Sequence, residues 1–228
     1  MSQTEFRTGV LRPVEIYKEA WAIIRDQYWI IFAVTIVGLL IGSTIPVILV
    51  GPMVCGIYLV LFDRIAGRPI DFARLFKGFD YFIPGLIVAL IITVPVIVLI
   101  VAMYVPMIFM AMAGPRMSEG ELFAAIAGIL AVELVVALVM VCLHTLLLFS
   151  FPLIVDRKLS AVDSIKVSAR AVWGNLGGVA GLFGVSILVT MAGYLALCIG
   201  VYLAVPLIFA ANAVAYRKIF PAEPEFGV

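Results

Sequence analysis

The stretch from position 27 to position 62, QYWIIFAVTIVGLLIGSTIPVILVGPMVCGIYLVLF, runs for 36 residues without a charge. A helix needs about 20 apolar residues to cross a bilayer, so this run is too long for one crossing and long enough for two. Gly42-Ser43-Thr44-Ile45-Pro46 supply turn chemistry near its middle. The uncharged run 171–216 repeats the arrangement, with its turn between Gly193 and Gly200. Two further runs, 81–115 and 122–155, lie between them, the second interrupted by Glu133 and His144. The expectation is an all-α polytopic membrane bundle with six spans, at about 28–45, 47–62, 84–112, 122–151, 176–193 and 199–216. The middle pair is overlong, which predicts tilt or extension beyond the bilayer.

Composition agrees. Of the 228 residues, 65% are hydrophobic and 13% charged, where a soluble domain is nearer half and a quarter. A soluble chain of this length has too little interior to hide so much apolar surface. The net charge of +1 offers no pull toward nucleic acid, and no nucleic-acid partner is expected. Cys55, Cys142 and Cys198 stand far apart in apolar runs and His144 is the only histidine. Neither a disulfide framework nor a metal centre follows from them, and no cofactor is implied. Residues 1–27 lack the compact apolar core of a cleavable signal, so the first run is expected to remain as an anchor.

The charges test the threading. Six spans put the N-terminus, 63–83, 152–175 and the C-terminus on one side, and these segments hold 14 of the 15 basic residues; Arg116 alone falls opposite. The positive-inside rule then places both termini in the cytoplasm. Trp21, Trp29 and Trp173 all fall at that interface, where amphipathic rings anchor.

Each span pair is preceded by an amphipathic segment expected to lie in the interface plane. One carries Val14, Tyr17, Trp21, Ile24 and Tyr28 on a stripe; another Phe72, Phe76, Phe79 and Ile83; the third Val162, Ile165, Ala169, Val172 and Leu176. Ser160 with Asp163 is a capping pattern for the third. The chain therefore reads as one integral membrane domain, 1–228, of three parallel pseudo-repeats at about 13–66, 69–158 and 160–220. Copies one and three align Lys18 with Lys166 and Pro52 with Pro206, and end at Asp63-Arg64 and Arg217-Lys218; the second ends at Asp156-Arg157. Shared ancestry and the general likeness of membrane span pairs both explain the match.

The stretch from Phe151 to Arg170, FPLIVDRKLSAVDSIKVSAR, resembles the hallmark of the YciC-like bacterial inner-membrane proteins. It is also similar to the membrane domain fused to some glycerophosphodiester phosphodiesterases. Gly51-Pro52 to Gly56, followed by Phe76-Lys77-Gly78-Phe79, is similar to the second common element of these groups. The resemblance implies topology and a bacterial cytoplasmic membrane, and it brings no catalytic residue.

Candidate chemistry is sparse. Glu133 is the one acid deep in a span, where holding a charge costs about 2.5–3.5 kcal/mol. His144 lies eleven residues on, close to three helical turns and about 16 Å along the same face. The pair either lines an ion path or satisfies local hydrogen bonds. Gly38 with Gly42, Gly174 with Gly178, and Gly177 with Gly181 are small-xxx-small seams, with Gly184 nearby; the seam lies inside one chain or between copies. Pro46, Pro52, Pro95, Pro106 and Pro206 punctuate the spans, and Thr93 and Asn212 are expected to bond between helices. The basic interfacial segments predict contact with anionic lipids, diluted by Glu15, Glu19, Asp26, Asp71, Asp80 and Asp163.

No nucleophile–base pair can be assembled, so an intramembrane enzyme is the least favoured reading. The first expectation is a non-enzymatic protein that organises the membrane with lipids, with copies of itself or with a membrane-protein partner. The second is a small transporter using Glu133. A water-lined cavity at Glu133 would separate them.

Overall fold

A computed structural model of the chain describes residues 5–113, 117–196 and 199–221; Arg116 and Cys198 lie outside the described residues. Those described contain helices and no strand. Six helices are long and apolar enough to cross a membrane, matching the expected count. The chain divides into two compact units, one of residues 1–89 with 146–228 and one of residues 90–145.

The first unit begins with α1 (Pro13–Ile24), whose N1 proline spends no needed N–H. The 3₁₀ turn Arg25–Gln27 leads into α2 (Tyr28–Thr44), and α3 (Pro46–Ile65) follows after one residue. That residue, Ile45, has φ −133° and ψ 81°, because the Pro46 ring excludes the helical conformation before it. Ser43 and Thr44 hydroxyls donate to the Leu40 and Ile41 carbonyls, each at 2.7 Å, so both polar side chains are satisfied within the last turn of α2.

α3 is the core of this unit. Every residue from Gly51 to Phe62 is buried except Val54. Its glycines explain how. A Cβ on Gly56 would run into the Leu75 carbonyl, one on Gly51 into the Gly85 backbone, and one on Gly78 into the Pro52 carbonyl. The two short elements Gly51–Gly56 and Phe76–Phe79, separated in sequence, are therefore one backbone-to-backbone contact.

The segment Phe72–Tyr81 is a 3₁₀ helix, capped by Asp71 accepting from the Ala73 N–H at 2.9 Å. Three residues per turn bring Leu75 and Gly78 to one buried side. The stripe of Phe72, Phe76, Phe79 and Ile83 is exposed. α1 divides similarly: Ile16, Tyr17, Ala20 and Ile24 are buried, while Val14 and Trp21 are exposed.

The expected span 122–151 is broken. α5 (Glu119–Leu146) ends, and a separate α6 (Ser150–Arg157) begins after three residues. Ser168 of α7 (Ala161–Trp173) bridges the gap, donating to the Leu146 carbonyl at 2.7 Å and accepting from the Phe149 N–H at 3.1 Å. Lys158 ends α6 in the left-handed region, φ 52°. The Ser160 hydroxyl caps α7 by accepting from the Asp163 N–H at 3.2 Å, as the capping pattern predicts. α8 (Leu176–Leu195) and α9 (Ile199–Ile219) complete the unit, their backbones meeting where Gly193 faces Gly200. Tyr58, Phe62, Phe149, Tyr216 and Phe220 form a chain of ring contacts through the core, with centroids 5.0–6.4 Å apart.

The second unit holds the greater part of α4 (Phe82–Ala113) and nearly all of α5. The 32 residues of α4 span about 48 Å, which exceeds the hydrocarbon thickness as expected. Among the described residues of this second unit only Met140 is buried. The two helices face each other across an apolar cleft of about 280 Å³, lined by Val94, Pro95 and Val98 on one side and Val135, Val139 and Leu143 among others on the other.

Candidate functional site

The residue types singled out in the sequence lie apart. Glu133 is half-buried on α5 and makes no hydrogen bond or ion pair with a described residue. His144 lies on the same helix, and its Nδ1 is 2.9 Å from the Met140 carbonyl one turn back. The cleft of this unit has wholly apolar side chains, and Glu133 is not among them. Thr93 and Asn212, expected to bond between helices, make no side-chain hydrogen bond among the described residues.

The glycine seams resolve unevenly. A Cβ on Gly38 would come 3.1 Å from Leu75 and 3.2 Å from Ile57, and one on Gly42 would come 3.3 Å from the Val50 backbone. Gly174, Gly178 and Gly181 pack inside the chain: the first two meet the N-terminal arm at Thr8 and Leu11, and Gly181 meets Pro13, the first residue of α1. Gly177 and Gly184 face open space. Trp21, Trp29 and Trp173 are 47%, 69% and 71% exposed.

The arm is fastened by Asn175, a residue the sequence reading passed over. Buried at the α7–α8 junction, its side chain accepts from the Gly9 N–H at 2.8 Å. It also donates to the Arg7 and Ala171 carbonyls at 3.1 and 2.9 Å. One asparagine thus spends both its acceptor and its donor on the backbone.

The concentration of polar groups is elsewhere. The dipeptides that end the three expected repeats, Asp63-Arg64, Asp156-Arg157 and Arg217-Lys218, fall at the C-terminal ends of α3, α6 and α9. Asp63, Asp156, Arg157 and Arg217 line one cleft of about 530 Å³ together with Arg68 and Arg74. Asp63 receives Arg74 Nε at 2.8 Å and Arg68 Nη1 at 3.1 Å. Asp156 receives the Tyr216 hydroxyl at 2.7 Å and Arg217 Nη2 at 2.8 Å, with Arg157 Nε at 3.4 Å. Arg157 also donates to the Pro221 carbonyl at 2.6 Å. The Arg217 guanidinium stacks over the Phe62 ring, its Cζ 4.4 Å from the centroid. The remaining members of the dipeptides turn away from the cleft. Arg64 donates to the Ile23 carbonyl at 2.9 Å and Lys218 pairs with Glu19 at 2.7 Å, both anchoring α1.

The charged dipeptides at these ends were visible in the sequence as punctuation. Their convergence was not, because Arg68 and Arg74 come from the loop and the 3₁₀ helix after α3 and pair with its last turn. No metal-binding cluster of His, Cys, Asp and Glu occurs among the described residues.

Together the fold and the site define a class, a multi-pass all-helical membrane protein. No family model, curated protein or solved structure matches the chain.

Proposed function

We propose that the chain is a non-enzymatic, membrane-organising protein of the bacterial cytoplasmic membrane, with both termini cytoplasmic. It is built as three span pairs, each entered by an amphipathic helix in the headgroup layer, and it assembles with lipids and with copies of itself or another membrane protein. The observation that carries this reading is the outward apolar row on elements too short to span. Val14 and Trp21 on α1, Phe72, Phe76 and Phe79 on the 3₁₀ helix, and Val162 and Trp173 at α7 are all exposed, while each element's opposite side is buried in protein. Held rigidly against the bundle, such rows act as wedges in one leaflet. The distribution of basic residues and the likeness of Phe151–Arg170 to the YciC-like proteins support the same orientation and membrane.

The experiment is reconstitution in vesicles containing lipids spin-labelled at shallow or deep acyl positions, reading tryptophan fluorescence. Trp21, Trp29 and Trp173 are expected to be quenched more by the shallow label. Stronger quenching by the deep label, or vesicle size and lipid order unaltered by the protein, would overturn the reading.

A second reading, a permeation pathway, rests on Glu133, a half-buried carboxylate without a partner among the described residues inside an apolar helix. Its test is ion or proton flux into proteoliposomes: Glu133→Gln abolishes flux if the acid carries it, and unchanged flux removes this reading.

A further inference from the structure

Glu133 stands at the middle of α5, fourteen residues from Glu119 and thirteen from Leu146, about 20 Å from either end. It lies on the sheltered stripe of that helix with Ile129, Val136 and Met140, and the matching stripe of α4 carries Leu99, Ala102 and Pro106. Five residues separate the two helices in sequence, so they run antiparallel. Their register follows from the apolar cleft they share, which spans Val94 to Val98 on α4 and Val135 to Leu143 on α5. Ala102 is six residues past the middle of the first stretch and Glu133 six residues before the middle of the second, so the two stand at one depth. By the same count His144 stands level with Ile91.

Both levels have an open carbonyl. A proline has no N–H, so Pro106 leaves the Ala102 carbonyl without its helical donor, and Pro95 does the same to Ile91. Eleven residues separate the prolines and eleven separate Glu133 from His144. Each polar side chain of α5 therefore stands opposite a carbonyl that its own helix leaves unsatisfied, a costly state inside a bilayer.

Neither side chain can supply the missing donor without an added proton. A carboxylate only accepts, whereas the protonated acid has one O–H. His144 spends Nδ1 on the Met140 carbonyl, an acceptor, so its other nitrogen donates only when the ring carries a second proton. Proton uptake also neutralises Glu133, the state that the centre of a bilayer tolerates. Other titratable groups stand away from this level. α4 carries only Tyr104, exposed and about half a turn round from Ala102. On α5 they are Glu119, Glu121, Cys142 and His144, the nearest nine residues from Glu133. A divalent cation would need about six oxygens, and this level offers a carboxyl and one open carbonyl.

From this geometry we infer that the seam between α4 and α5 binds a proton at Glu133, shared with the Ala102 carbonyl. The carboxylate takes the proton from water, and the O–H bond so formed donates to the carbonyl that Pro106 leaves open. The inference deepens the permeation reading by naming the proton as its ligand, and it rests on that reading's view of Glu133 as an unpartnered acid in the span.

The test uses the full chain in phosphatidylcholine vesicles, titrated from about pH 9 to about pH 4. Infrared spectra follow the C=O stretch that a protonated carboxyl has and a carboxylate lacks. Subtracting the spectra of Glu133→Gln isolates the Glu133 band, which is expected at the lower frequency of a hydrogen-bonded acid. Pro106→Ala restores the N–H that satisfies Ala102, so the band should rise to the frequency of a free acid. Pro95→Ala, at the other level, should leave it in place. Should Glu133→Gln fail to fold, Glu133→Asp shortens the side chain and is expected to shift the same band. A band unmoved by Pro106→Ala, moved equally by Pro95→Ala, or absent throughout the titration overturns the inference. Proton flux is read separately, with a pH-sensitive dye inside the vesicles. A Glu133 band that answers to Pro106, with no flux, keeps the proton site and removes the permeation reading. Flux without such a band removes the site and keeps that reading.

Discussion

The Tyr216 hydroxyl donates to Asp156 Oδ2 at 2.7 Å across sixty residues of chain, and through this bond the last turn of α6 and the last turn of α9 become one structure. Tyr216 is fully buried, with its ring against Phe149, Phe220 and Phe62. Its hydroxyl has one outlet, the carboxylate that also receives Arg217.

Tyr216→Phe keeps the ring packing and deletes the bond. A part-buried carboxylate losing a hydrogen bond costs about 1 kcal/mol, so the melting temperature should fall. Adding Asp156→Asn should cost less in the Phe background than in the native one, because the two residues act as a pair. Additive losses in a double-mutant cycle would show that the bond contributes nothing.

Gly78→Ala drives a methyl into the Pro52 carbonyl and to within 2.6 Å of the Gly56 nitrogen, a backbone contact that cannot yield. We expect a loss of 3 kcal/mol or more, of the order of severe overpacking, read as aggregation or a collapsed melting temperature in detergent. Gly177→Ala and Gly184→Ala meet open space. They should be neutral or raise stability by up to about 1 kcal/mol through helix propensity.

Asn175→Ala removes three hydrogen bonds that hold the arm and the α7–α8 junction. At about 1 kcal/mol each, a loss of roughly 3 kcal/mol is expected. Trypsin should cleave after Arg7 much faster in this variant, while cleavage at exposed Arg170 changes little. Unchanged cleavage at the arm would show that Gly174, Gly178 and Gly181 hold it without the asparagine.

Lys158 is the only non-glycine residue in the left-handed region among those described. Lys158→Gly removes the Cβ that disfavours this conformation, and thermal unfolding should show a gain of up to about 1 kcal/mol. Lys158→Val, β-branched at the same φ, should be destabilising by a similar or larger amount.

Much of the architecture was legible in advance. Uncharged runs give the six spans, the Ile45-Pro46 turn divides the first of them, and Ser160 with Asp163 starts α7. These features act over a few residues, through solvation, proline sterics and one local hydrogen bond. The break at Leu146–Ser150 was not legible, because the group that repairs it is Ser168, on another helix. The 3₁₀ conformation of Phe72–Tyr81 was not legible for a related reason. A helical period of 3.6 was assumed, whereas close approach of Gly78 to α3 is made with three residues per turn.

The same division holds for the candidate sites. Glu133 and His144 stand out in the sequence because charge is rare there, and rarity is a property of composition. Gly51, Gly56 and Gly78 look like any membrane glycines until the backbones they admit are seen beside them. Asp63, Arg74, Asp156 and Arg217 look like span-end punctuation until three helix ends meet around one cleft. Hydrophobicity and charge, summed along the chain, determined that this protein crosses a membrane and where. Only tertiary packing decided which small residues bear contact and which charges share a cavity, because those relations join side chains that the covalent chain keeps tens of residues apart.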